Sequence, residues 1–132
     1  MKKLLLLSAL ALALASCITY GVVPHDRVLL GSRYVGFSRE RDAIDVGNYE
    51  GRFRSLYFEV ERNDIEIFNI VIVYGNGERE RVETRLVFDQ GTRSRIIGFE
   101  GGERRIRAVE FSYKTVGTWL EGRARILVYG LR

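Results

Sequence analysis

The chain has 132 residues, of which 46% are hydrophobic and 11% aromatic, and its formal net charge is +4. This length predicts one domain with a single core, and the composition is that of a folded globule. Nucleic-acid binding is not indicated, because Lys2 and Lys3 lie in a segment that we expect to be removed and the arginines alternate with glutamates instead of forming a stripe.

The N-terminus is typical of a bacterial export signal. Lys2 and Lys3 precede a run of leucine and alanine at residues 4–15, broken only by Ser8. A helix needs roughly 20 apolar residues to span a bilayer, so this run is better explained as a signal-peptide core. It ends in Leu14-Ala15-Ser16-Cys17, which resembles the lipobox of bacterial lipoproteins. We predict a lipoprotein signal peptide, a signal helix, at residues 1–16; the alternative is an ordinary signal peptide followed by an unrelated cysteine.

Cys17 is therefore the predicted site of lipid attachment, and the membrane is a predicted partner through that lipid. It is the only cysteine, so no intrachain disulfide can form. Two or more acyl chains suffice for stable anchoring, whereas one is marginal. Ile18 stands where an aspartate would resemble the inner-membrane retention signal, which indicates the outer membrane if the organism has one. We expect a cell-envelope location.

A tether at residues 17–27 precedes the domain, which we place at residues 28–132. The first predicted strand covers residues 28–37, with a bulge at Gly31. A charged loop at residues 38–42 leads to a short strand at residues 43–46, which directs Ile44 and Val46 inward.

The segment at residues 54–77 organises the rest. Leu56, Phe58 and Val60 alternate with more polar residues, and residues 65–74 are almost continuously β-branched or aromatic, so both stretches predict strands. The turn residues 62–64 between them favour an antiparallel hairpin. Asn76-Gly77 then predicts a type I′ turn, followed by a strand with Val82, Thr84 and Leu86 on one face.

This segment has a copy 39 residues downstream. Both copies break the strict alternation of inward residues, which predicts a β-bulge or sharp bend near Phe68-Asn69 and near Arg107-Ala108. We expect the duplication to give each sheet a similar central pair of strands. The matched residues are Arg54, Ser55, Phe58, Val60, Ile67, Ile70, Ile72 and Tyr74 with Arg93, Ser94, Ile97, Phe99, Ile106, Val109, Phe111 and Tyr113.

The remaining elements are a turn at residues 89–92, a strand at 95–99, a turn at Gly101-Gly102, a strand at 104–114, a polar loop at 115–122 and a last strand at 123–130. About eight short strands without a helix predict an all-β fold. We expect a two-sheet antiparallel β-sandwich, jelly-roll-like or immunoglobulin-like; a closed barrel is the alternative.

Several of these residues also suggest a relationship. Leu30-Gly31, Gly51 with Phe53, Asn76-Gly77, Gly101-Gly102 and the last strand resemble a family of small exported bacterial proteins known only as a domain of unknown function. The resemblance covers roughly residues 28–132. It implies an all-β sandwich and no catalytic residues.

The candidates for catalysis are few. His25 is the only histidine and lies in the tether, where neither a catalytic triad nor a zinc site is expected. Glu40, Asp42 and Asp45 lack the spacing of an EF-hand. Carboxylates such as Glu110 fall at predicted outward positions. We predict no catalytic residue, no metal, no cofactor and no enzymatic activity.

Trp119, in the loop at residues 115–122, is the main binding candidate, with Tyr113 and Tyr129 as neighbours. An indole in a loop suits the anchoring of a partner or stacking on a sugar, and its alternative role is to close the end of the core. The sequence predicts a lipid-anchored binding or structural module that contacts an envelope protein or component. The alternatives are a carbohydrate-binding module and, less favoured, a small hydrolase.

Overall fold

The computed structural model describes residues 26–46, 51–84 and 86–132. The predicted signal peptide, Cys17, His25 and most of the tether lie outside these residues. The described part forms nine strands and one 3-10 turn. In chain order they are β1 (Arg27–Val35), β2 (Glu40–Asp45), β3 (Ser55–Glu61), β4 (Ile65–Tyr74), β5 (Arg79–Val82), β6 (Leu86–Phe88), β7 (Ile97–Gly98), β8 (Ile106–Thr115), η1 (Trp119–Glu121) and β9 (Ala124–Leu131).

The strands form two antiparallel sheets. Sheet A has the order β1-β9-β3-β7, and sheet B has the order β2-β8-β4-β5, with β6 also pairing with β4. If β5 and β6 are counted as one interrupted strand, this is the strand order of a jelly roll. The predicted two-sheet sandwich is confirmed, in its jelly-roll form.

The core lies between the inner faces of the two sheets. Phe58 of β3 and Phe111 of β8 meet edge to face, with ring centroids 6.2 Å apart, and so join sheet A to sheet B. Replacing a buried phenylalanine with alanine lowers the free energy of unfolding of a protein by about 3–5 kcal/mol, so such pairs dominate the energetics of the fold. Ala124, Ile126 and Val128 of β9 are all fully buried in this core.

The predicted irregularities are present. The register of β4 against β8 shifts between Ile67 and Asn69 and again between Val73 and Tyr74, where the extra residue is Arg107 of β8. The register of β1 against β9 shifts between Leu29 and Gly31, where Leu30 is the extra residue. Each extra residue restores the inward direction of the apolar side chains that follow it.

The predicted hairpin between the first two organising strands is wrong. β3 belongs to sheet A and β4 to sheet B, so residues 62–64 carry the chain across the sandwich. Both strands present one apolar face, and two such faces can meet across a core as well as lie side by side in one sheet. The turn residues do not distinguish these arrangements.

The copies also pair differently from the expectation. β3 pairs with β7 and β4 pairs with β8, so the matched segments lie beside each other in the same sheet. Ile70 pairs with Phe111 and Ile72 with Val109, which is the pairing of two copies related by a local two-fold axis near Val71 and Glu110. The expectation that each copy supplies one sheet is therefore wrong, although the two copies have related geometry.

Three local predictions need correction. The turn after β4 has a positive φ at Gly77 but not at Asn76, so it is not type I′; its three-residue loop ends in a left-handed glycine. The following strand is split, and Leu86 is 57% exposed because β6 lies at a sheet edge. β2 begins at Glu40, because its charged residues join an edge strand through backbone pairing with β8.

Candidate functional site

One end of the sandwich carries the most exposed large apolar side chains. We call it the Trp119 end; it consists of the connections at residues 36–39, 62–64 and 116–123. Trp119 and Leu120 are each 76% exposed, on the η1 turn that follows β8. The alternative role of Trp119, closing the core, is excluded by this exposure.

The loop that carries Trp119 is held by a buried side chain from another loop. The amide Nδ2 of Asn63 donates hydrogen bonds of 2.8 Å to the carbonyl oxygens of both Thr118 and Gly122, on either side of η1. The Asn63 Oδ1 atom accepts from the backbone N–H of Asp64 at 2.8 Å. Asn63 is fully buried. The indole is thus exposed on a backbone that is fixed at both ends.

The strand ends beneath this loop are also tied together. The hydroxyl of Thr115 donates to the carbonyl of Val35 at 2.7 Å and accepts from the backbone N–H of Ala124 at 3.1 Å. Thr115 ends β8 in sheet B, whereas its two partners lie in sheet A, so this buried hydroxyl joins the sheets where the Trp119 loop leaves the sandwich.

A tyrosine surrounded by arginines occupies the same end. The guanidinium carbons of Arg62, Arg123 and Arg125 lie 5.6, 5.6 and 5.8 Å from the centre of the Tyr34 ring. These distances are within the range of cation–π attraction. Arg125 is also paired with Glu61 at 3.0 Å. We call Tyr34, Arg62, Arg123 and Arg125 the Tyr34 cluster.

The other two predicted binding residues do not join Trp119. Tyr113 is fully buried, and its hydroxyl donates to Asp42 at 3.2 Å. Tyr129 lies on the outer face of sheet A, where it stacks on Tyr57 at 5.3 Å and lies under the guanidinium of Arg27 at 4.4 Å. It stands five residues along β9 from Ala124, or about 17 Å from the Trp119 end at the rise of a β-strand.

A groove of about 510 Å³ lies elsewhere, on the outer face of sheet B. Its two carboxylates already have partners: Glu110 is paired with Arg79, and Asp42 accepts from Tyr113. Polar residues form most of the lining, and Ala43, Val71 and Phe111 complete it. The lining includes Arg41, Asp42, Asn69, Arg79, Glu110 and Ser112.

Within residues 26–46, 51–84 and 86–132, no group of histidine, cysteine, aspartate and glutamate side chains could hold a metal ion. In the same part of the chain, no helix has the length and apolar character needed to cross a bilayer.

Trp119 was a candidate from the sequence, whereas the residues that surround it in the structure were not. Asn63 was assigned only to a turn, and its role depends on the β8–β9 loop more than fifty positions away. Tyr34 was seen only as a strand residue, and Arg62 only as a turn residue. The apolar dipeptide at residues 119–120 was the one signal available.

The fold and the Trp119 end define a small jelly-roll domain that exposes Trp119 and Leu120 on one loop. The chain belongs to the DUF2541 family, described as a domain of unknown function, whose model it matches over residues 4–130. The sequence matches no curated protein. A solved structure of AlgX from Pseudomonas aeruginosa is similar to 80% of this chain with a TM-score of 0.46 and 17% identity; the match covers 26% of that chain.

Proposed function

We propose that this protein is a non-enzymatic binding module of the cell envelope, anchored by a lipid on Cys17, and that it docks a partner protein at its Trp119 end. One observation carries the proposal: Trp119 and Leu120 are highly exposed, while buried Asn63 fixes the loop beneath them. Exposing two large apolar side chains on a fixed backbone has an energetic cost that binding would recover.

The neighbours of the indole favour a protein as the partner. Trp119 is followed by Leu120 and accompanied by Val116, which is itself exposed. An aromatic anchor with aliphatic neighbours fits the apolar pocket of a protein surface, and tryptophan and arginine are enriched where such contacts carry most of the binding energy. The arginines of the Tyr34 cluster supply the polar rim.

The direction of β1 agrees with an anchor at the opposite end. Arg27 pairs with Leu131 at one end of sheet A, and Val35 pairs with Ala124 at the Trp119 end. The nine residues of β1 extend about 30 Å. The chain that follows a lipid on Cys17 would enter the domain at Arg27. The Trp119 end would then point away from the membrane.

The anchor is tested by metabolic labelling with a palmitate analogue. We expect labelling of the wild type and none of Cys17→Ala. Labelling that persists in the variant would contradict attachment at Cys17.

The binding function is tested with the single tryptophan as a probe. Full-length protein labelled with fluorotryptophan gives one fluorine NMR resonance, because Trp119 is the only tryptophan. We expect solubilised envelope material to shift or broaden this resonance, and we expect protease digestion of that material to abolish the effect. An unchanged resonance would refute docking at this end.

A carbohydrate-binding module is the second candidate, favoured by the same exposed indole, which could stack on a sugar ring. The same probe separates the two. A shift that survives protease digestion and is reproduced by a member of a glycan panel would favour the sugar.

A further inference from the structure

Two arginines of the Tyr34 cluster have no ion-pair partner among residues 26–46, 51–84 and 86–132. Arg125 is paired with Glu61 and also donates to Ser32. Arg62 and Arg123 are exposed and form no hydrogen bond or ion pair among the described residues, although both guanidinium groups lie over the same ring. Both guanidinium groups are positively charged, so a nearby anion would stabilise the cluster electrostatically.

The backbone conformation of Arg62 also indicates a functional role for this residue. Its φ is +74°, and among the described residues it is the only non-glycine residue with a positive φ. A left-handed conformation is costly for a branched or long side chain and nearly free for glycine. Strain of this kind persists where a side chain has a role that the surrounding structure supports.

The carboxylates of the neighbouring described residues form no ion pair with these two arginines. Asp64 uses its Oδ1 atom to accept from the backbone N–H of Gln90 at 2.7 Å. Glu61 forms an ion pair with Arg125. Glu121, on the exposed turn, forms no ion pair within the described part of the chain. Arg62 and Arg123 are therefore free of ion pairs within the described part of the chain, and both guanidinium groups remain available to a carboxylate beside the exposed side chains of Trp119 and Leu120.

We propose that Tyr34, Arg62 and Arg123 form a carboxylate-binding site for an acidic segment of the partner that docks on Trp119 and Leu120. Guanidinium groups bind carboxylates in a planar, two-pronged geometry, and a peptide can carry carboxylates and apolar side chains together. This inference rests on the proposed function and specifies its partner as an acidic, partly apolar protein segment.

The test uses the full chain in detergent, with hexaglutamate as the probe at constant ionic strength and the fluorotryptophan resonance and Tyr34 ring signals as readouts. We expect saturable binding by the wild type. Arg62→Gly should weaken binding at least fivefold and raise the urea midpoint, because glycine removes the backbone strain. Arg123→Gln should weaken binding similarly, and Arg81→Gln, an exposed arginine on β5, should leave it unchanged.

Four results would overturn the site: no saturable binding of hexaglutamate by the wild type, unchanged affinity in both Arg62→Gly and Arg123→Gln, an equal loss in Arg81→Gln, or displacement of hexaglutamate by inorganic phosphate at equal concentration. The proposed function is judged separately. If envelope material still shifts the Trp119 resonance while hexaglutamate fails to bind, the carboxylate site is wrong and docking at Trp119 stands.

Discussion

The side-chain amide of Asn63 donates a 2.8 Å hydrogen bond to the carbonyl oxygen of Gly122, across 59 positions of sequence. A second bond from the same nitrogen reaches Thr118, so one buried amide holds both sides of the turn that carries Trp119. The β3–β4 connection at residues 62–64 and the loop at residues 116–123 that carries Trp119 are therefore parts of one structural unit. A change that loosens the β3–β4 connection should also loosen the Trp119 loop.

Asn63→Ala should destabilise the protein by about 1–3 kcal/mol, because it removes both hydrogen bonds that the buried amide donates to the carbonyl oxygens of Thr118 and Gly122. The measurement is equilibrium unfolding in urea, with the fluorine linewidth of Trp119 as a report on loop mobility. Asn76→Ala, at an exposed turn where the Oδ1 atom accepts from Glu78, is the matched control and should cost at most about 1 kcal/mol. Equal losses in the two variants would contradict the role of Asn63.

Gly117→Ala should also release the loop. A Cβ atom at this position would lie 1.6 Å from Oδ1 of Asn63, so the asparagine must move. We expect the losses from Gly117→Ala and Asn63→Ala to be strongly non-additive in a double-mutant cycle, since both act on the same hydrogen bonds. Gly98→Ala, where a Cβ atom meets nothing within 4 Å, is the control. Additive losses would show that the two residues act independently.

Thr115→Val keeps the shape of the side chain but removes its hydroxyl. The carbonyl of Val35 and the N–H of Ala124 then lose a buried partner, at an expected cost of about 2–4 kcal/mol. Thr92→Val removes an exposed hydroxyl that donates to Asp89 and should cost less than about 1 kcal/mol. A stable Thr115→Val protein would mean that the hydroxyl does not join the sheets.

Stability should fall at alkaline pH. Burial raises the pKa of Tyr113, and the negative charge of Asp42 raises it further; burial and the hydrogen bond to Glu80 do the same for the pKa of Tyr74. Their stabilising contribution is therefore complete below the unfolded tyrosine pKa of about 10 and is lost as the pH rises from there toward the folded pKa. The urea midpoint should decline above about pH 10, and less steeply in Tyr113→Phe. A midpoint that does not change with pH would contradict this linkage.

The sequence predicted the strands better than their partners. Alternation at Leu56, Phe58 and Val60 and the parity break at Phe68-Asn69 follow from which side chains must be buried, and the bulges are confirmed. Burial does not specify which sheet each strand joins. The hairpin between β3 and β4 was wrong because each strand has one apolar face, and two such faces can meet across the core as well as lie side by side in one sheet.

The same limit applies to the candidate site. An isolated tryptophan in a polar loop was visible in the sequence, and so were the tyrosines. Whether each ring is exposed depends on the face of the sheet on which it lies and on the side chains that cover it. Tyr113 points into the core, and Tyr129 is covered by Arg27. The Tyr34 cluster joins residues from β1, the β3–β4 connection and the start of β9, and such a grouping becomes visible only once the topology is known.

The most direct test of the account is photo-cross-linking in living cells from a photoreactive residue at position 120. Docking at the Trp119 end predicts a discrete protein adduct that disappears when Trp119→Ala is added and persists with Ile96→Ala, another exposed apolar side chain. An adduct of unchanged yield in the Trp119→Ala background, or no adduct at all, would contradict it.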